Sequence, residues 1–203
     1  MRTITETITT NIYTFDELSE EAKENFTNEQ RELVAEDKSS EMLGRMSCAM
    51  KVMGIEVDDY EVDNDGSGYI NLSVDEDAED LRGARAYAWI VNNCFSEVKK
   101  NNIFWKIGSP TSKSRVSNLE SKDWMNDCPF SGVFYDMAVK DAWEEWCAEL
   151  KNGFESSVED FLDELGSAYL DTIAREYDGF DEDCARELAE ANGWEFLEDG
   201  TIC

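Results

Sequence analysis

A chain of 203 residues with 41% apolar and 11% aromatic residues holds enough apolar material for one sizeable core or two small ones. Its formal net charge of −29 repels nucleic acid and anionic membrane surfaces and attracts basic partners at long range. The absence of histidine excludes Ser-His-Asp and Cys-His catalysis, histidine acid–base chemistry and every zinc site that needs an imidazole ligand.

The N-terminal stretch MRTITETITTNIYTF lacks an apolar signal core, and no segment reaches the roughly 20 apolar residues that span a bilayer, so a cytosolic protein is expected. Ile4, Ile8 and Ile12 lie in a threonine-rich alternating segment that predicts a strand ending at Phe15. Ser19 then reads as the N-cap of a helix over SEEAKENFTNEQRELVAE, with Glu20 and Glu21 in its first turn and Ala22, Phe26, Leu33 and Val34 as its buried stripe. A second helix is predicted from Ser40 to Met53, stopping at Gly54. Its Met42, Met46, Ala49, Met50 and Met53 recur at helical spacing, which fits core filling, with an adaptable peptide groove as the alternative.

IEVDDYEV and YINLSV alternate as two strands of a hairpin, and the turn between them poses a chemical question. DNDGSGYINLSVD, residues 63–75, opens like an EF-hand loop, with oxygens at Asp63, Asp65 and Ser67, Gly68 at the sharp turn and Ile70 at the apolar position. The twelfth position, which must be a bidentate glutamate, is Val74, and strands rather than helices flank the loop, so a turn and not a calcium site is expected.

Asp75 to Asp77 can cap a helix from about Ala78 to Lys100 with Leu81, Ala84, Ala88, Ile90 or Val91, and Phe95 on its apolar side. A short strand, NIFWKI, and a polar loop, GSPTSKSRVSN, follow. From Val133 three helices are predicted, over VFYDMAVKDAWEEWCAELKNG, FESSVEDFLDELGSAYLDTIAREYDG and DEDCARELAEANG. The middle one carries the stripe Phe154, Val158, Phe161, Leu162, Leu165, Tyr169, Ile173 and Tyr177, and the tail WEFLEDGTIC turns at Asp199-Gly200 to fold back. Without a Pro/Gly/Ser linker or a repeat, the chain reads as one α+β domain over 1–203. It is helix-rich, with an N-terminal strand, a β-hairpin near 55–74 and an acidic helical C-terminal half; a helical subdomain over 133–193 is the alternative division.

Charge is unevenly spread. Residues 81–119 carry Arg82, Arg85, Lys99, Lys100, Lys106, Lys113 and Arg115 against the single acid Glu97. Internal neutralisation of the acidic remainder is the simpler reading; a nucleic-acid or phosphate contact through Trp105 and Lys106 is the other. In the C-terminal half the acids recur at helical spacing: Asp141, Glu144, Glu145 and Glu149; Glu155, Glu159, Asp160, Asp163 and Glu164; Asp171, Glu176 and Asp178, continuing through Asp181, Glu182, Asp183, Glu187 and Glu190. Carboxylates three or four residues apart on a helix stand about 5–6 Å apart, on the scale of the phosphate repeat of a nucleic-acid strand. Solvation alone and adaptation to high salt are the plainer explanations of such a face. Trp124, Trp143, Trp146 and the Phe134-Tyr135 pair fit either core or a pocket. Cys48, Cys94, Cys128, Cys147, Cys184 and Cys203 include no C-x-x-C pair and read as reduced, mostly packed thiols.

Three stretches, YTFDELSEEAKENF, DCPFSGVFYDMA and LAEANGWEFLEDG, resemble a group of acidic, largely uncharacterised proteins of bacteriophages and related mobile elements. The resemblance implies a gene product acting in the bacterial host cytoplasm. In charge and origin it is similar to DNA-mimic anti-restriction and anti-CRISPR inhibitors. The function expected is therefore a non-enzymatic inhibitor that covers the basic nucleic-acid site of a bacterial defence or nucleic-acid-handling protein, through Asp141, Glu144, Glu145, Glu149, Glu155, Glu159, Asp160, Asp163, Glu164, Asp171, Glu176 and Asp178. No catalytic residue, metal or cofactor is expected, and no direct contact with nucleic acid or membrane. The alternatives are a metal-dependent phosphodiester hydrolase acting on a nucleotide signal through clustered carboxylates, and a binding module such as a signal sponge or antitoxin.

Overall fold

The computed structural model describes residues 10–95, 130 and 137–203. It is an α+β, helix-rich protein that divides into two compact units, one of residues 1–36 with 176–203 and one of residues 37–175. Among the described residues no helix is long and apolar enough to cross a membrane. The expected N-terminal strand lies mostly outside the described residues, and its described end makes an isolated antiparallel bridge from Tyr13 to Phe196. NIFWKI at 102–107 also lies outside them.

The first helix, α1, runs unbroken from Glu20 to Met53, where two helices were expected. Ser19 caps it as predicted, its Oγ accepting from the Ala22 N–H at 3.2 Å. The expected break at 37–40 fails because DKSS contains neither Gly nor Pro. Buried positions continue through it at three- and four-residue spacing, as Ala35, Ser39, Met42, Met46, Ala49 and Met53. Ser39, polar yet buried, donates to Asn64 Oδ1 at 3.4 Å. Leu33, expected inside, is 56% exposed, and the buried face there carries Thr27 and Gln30 instead.

In the unit of the two chain ends, Phe15, Leu18, Ala22, Phe26, Ala185, Ala189 and Phe196 form the core. Phe26 and Phe196 meet edge-on with ring centroids 4.9 Å apart. The tail folds back as expected: the Leu197 N–H donates to the Thr201 carbonyl at 2.8 Å, and Phe196 bridges both Ile202 and Tyr13.

In the other unit the hairpin consists of β1 (Glu56–Val62) and β2 (Gly68–Ser73). The register slips between Val57 and Asp59, so Asp58 is a bulge residue. The bulge lets Val57, three positions before Tyr60, share a face with Tyr60, Val62, Ile70 and Leu72, a spacing that strict alternation forbids. The expected helix over 78–100 is broken: α2 (Glu76–Glu79) ends, Arg82 bridges to Ser157, and α3 (Ala84–Asn93) begins after Gly83 at φ 57. The helices α4 (Met137–Asn152) and α5 (Val158–Asp178) follow, with α6 (Glu182–Asn192) beyond them. The methionine stripe is core: Met42, Met46, Met50 and Met53 pack with Ile90, Trp143, Trp146, Phe161 and Leu165.

Candidate functional site

The acids of α4 and α5 take their places from the apolar stripes of those helices. Ala138, Val139, Ala142, Trp143, Trp146 and Cys147 turn inward on α4, and Val158, Phe161, Leu162, Leu165, Tyr169 and Ile173 on α5. The two run antiparallel. The Trp146 indole N–H donates to the Ser157 carbonyl at 2.9 Å near one end, and Arg175 reaches Asp141 at 3.3 Å near the other. Trp143 and Trp146 are thus core, stacked 5.4 Å apart; Trp124, Phe134 and Tyr135 lie outside the described residues.

Of the twelve acids, four converge along the α4–α5 seam. Glu145 and Glu149 on α4 and Asp171 on α5 all act on Glu164. Partial burial, then these three carboxylates, push the Glu164 carboxyl above its ordinary range. Among the described residues none of the four carries an ion pair, although Glu149 accepts a hydrogen bond from the Ser156 hydroxyl at 3.0 Å. Because folding raises the Glu164 pKa, ionisation there opposes folding at neutral pH, and the penalty fades as pH falls through the folded value to below the unfolded one. Glu164→Gln is therefore expected to raise the melting temperature at pH 7 and to lose that advantage in acid, as thermal unfolding across pH would record.

The other eight are placed differently. Asp141 is bound by Arg175, and Glu144 by Lys140 at 3.4 Å. Asp160 is held in the first turn of α5: its carboxylate accepts from the Ser157 N–H at 2.6 Å and hydroxyl at 2.8 Å, while the Ser157 Oγ accepts from the Asp160 N–H at 3.0 Å. This reciprocal cap was legible as Ser157-x-x-Asp160. The backbone bond from Ser157 first, helped by the Ser157 hydroxyl and Arg82, holds the Asp160 carboxyl below its usual range. Its contribution is present above the unfolded pKa and lost as pH falls through the lowered folded one. Asp160→Ala should cost about 1 kcal/mol at neutral pH and flatten the acid limb of the stability curve. Glu155 sits in the α4–α5 loop, Glu159 and Asp163 are exposed on α5, and Glu176 and Asp178 belong to the unit of the two chain ends.

Phe154, expected on the buried stripe, is 64% exposed, because Gly153 at φ 93 ends α4 and the Ser157 cap delays α5 to Val158. Of the basic segment, Arg82 is described beside Asp160, where it favours the carboxylate; Lys99, Lys100, Lys106, Lys113, Arg115 and Trp105 lie outside the described residues.

The hairpin turn uses its own acids. The Asp63 N–H donates to the Ser67 carbonyl at 2.8 Å, the Gly66 N–H to the Asp63 carbonyl at 3.0 Å, and the Ser67 N–H to Asp65 Oδ1 at 2.9 Å. The Ser67 bonds hold the Asp65 carboxyl below its usual range. Among the described residues no three Asp, Glu or Cys side chains gather as metal ligands. Burial pushes the Cys94 thiol up to about 12 and the Cys147 thiol higher still, so both are inert at neutral pH. No protein-family model, curated protein or solved structure matches the chain.

Proposed function

We propose that the protein is a non-enzymatic inhibitor of phage or mobile-element origin. It covers the basic nucleic-acid site of a bacterial defence or nucleic-acid-handling protein with the acidic face of α4 and α5. The observation that supports this reading is the seam of Glu145, Glu149, Glu164 and Asp171, like charges kept together without an ion pair among the described residues in a chain of net charge −29. Holding like charges at helical spacing costs a few tenths of a kcal/mol per pair, roughly. A surface that carries that cost is matched to a partner of opposite sign, whose approach is steered at low salt and slowed as salt rises.

Asp141 and Glu144 are neutralised by Arg175 and Lys140, and the Asp160 carboxylate is turned onto Ser157 in the first turn of α5, which leaves the four seam residues, with Glu159 and Asp163 beside them on α5. Affinity capture from a bacterial lysate at low salt tests the reading. It expects a basic nucleic-acid-binding protein that DNA or RNA displaces competitively. Capture of no such protein contradicts it.

A further inference from the structure

We propose that the outer edge of β1 takes up a basic, extended segment of a partner protein as a third strand. Among the described residues the sheet has two strands, and so two outer edges. That of β2 lies against α5, since a Cβ on Gly166 would stand 2.8 Å from the Ile70 carbonyl oxygen. In an antiparallel pair successive residues point their amide groups toward the partner strand and away from it in turn. The Asp63 N–H bond to Ser67 sets the phase: counting back along β1, Glu61 faces β2, and Tyr60 and Val62 present N–H and C=O outward. Ile70, the partner of Tyr60, accordingly points outward from β2, where Gly166 meets it.

The outer edge of β1, which pairs with no strand among the described residues, is marked by charge. Glu56, Asp58, Asp59 and Glu61 are four of the seven residues of β1, all exposed, and Tyr60 between them is 47% exposed. Like charges prevent a second copy of the same strand from adding here, whereas a lysine- or arginine-rich strand is attracted. The Tyr60 ring, on the opposite face of the strand from Asp59 and Glu61, offers a surface against which the apolar side chains of an alternating basic strand can lie. The bulge at Asp58 confines regular pairing to Asp59–Val62. The proposal does not require the α4–α5 face, and its test alters none of the residues there, so the two readings can fail separately.

The test titrates the isotope-labelled full chain at low salt with a heptapeptide alternating lysine and valine, followed by amide chemical shifts and hydrogen exchange. Saturable shifts and slowed exchange centred on Asp59–Val62 are expected. Tyr60→Pro removes an outward N–H at an edge position where proline is tolerated, and should weaken binding about tenfold, the loss of one good hydrogen bond. The same peptide with alternate backbone nitrogens methylated keeps its charge and should bind no better than that variant does, which decides the matter even if Tyr60→Pro fails to fold. Equal binding of the methylated peptide, shifts spread over the helices, no binding, or Tyr60 and Val62 amides already protected in the free chain would each overturn the proposal.

Discussion

Trp146→Ala is expected to lower the unfolding free energy by about 3–5 kcal/mol, a large part of the stability of an ordinary domain. Trp146 is 1% exposed and sits between Trp143, stacked on it, and Phe161, edge-on to it, so truncation opens a cavity that the rings on both sides keep from collapsing. Its indole N–H also donates to the Ser157 carbonyl at the start of α5, which truncation leaves with the Phe161 N–H at 3.4 Å as its donor. The neighbouring tryptophan separates the two effects. Trp143 is equally buried, but among the described residues its N–H has no hydrogen-bond partner. Trp143→Phe therefore loses volume and an unsatisfied donor, while Trp146→Phe loses volume and a hydrogen bond. Chemical denaturation should find Trp146→Phe the costlier by about 0.5–1.5 kcal/mol, the net worth of one hydrogen bond.

The second large effect is expected at the hairpin turn. Gly66 adopts φ 78, and a Cβ there would stand 2.5 Å from the Leu170 carbonyl oxygen and 2.7 Å from the Ala174 N, both backbone atoms of α5. The left-handed conformation costs an L-residue roughly 1–2 kcal/mol. Forcing a methyl against a helix backbone adds about 1–3 kcal/mol, since neither atom belongs to a flexible side chain that can move aside. Gly66→Ala should thus cost about 2–5 kcal/mol in denaturant unfolding, by the sum of those two ranges. Substitution of Gly54, which has nothing within 4 Å of its Cβ position but a φ of 69, should show the conformational part alone.

These two sites illustrate what the sequence made legible. The apolar stripes of α4 and α5 and the methionine stripe of α1 have helical spacing and are buried as that spacing predicts. The hairpin followed from alternation and a glycine-rich turn, and Val74 in place of glutamate marked the loop as a turn. What escaped notice depended on residues distant in sequence. The burial of Ser39 in the middle of α1 rests on Asn64, the break at Gly83 on Arg82 bridging to Ser157, and the closing of the chain ends on Tyr13 pairing with Phe196. Local propensity carries none of these pairings.

The candidate site was legible as composition but not as geometry. Helical spacing put Asp141, Glu144, Glu145 and Glu149 on equal terms, but the side chains opposite them did not leave them so. Arg175 and Lys140 hold the first two, while Glu145 and Glu149 face Glu164 across the seam. Asp160 looked like another surface acid and is instead the partner of the Ser157 cap in the first turn of α5. Cross-helix pairing of this kind depends on which residues of α5 lie beside α4, and that is set by the packing of Trp143, Trp146 and Phe161 rather than by either helix alone.

The most direct measurement of the central claim is the association rate of the captured basic partner with the native chain and with the variant Glu145→Gln, Glu149→Gln, Glu164→Gln, Asp171→Asn, across a range of salt. If the seam supplies the contact, the native chain associates fast at low salt and steeply slower as salt rises, and the variant, folded and more stable at pH 7, associates slowly with little salt dependence. Equal rates and equal salt slopes for the two chains would show that the α4–α5 seam is not where the partner binds.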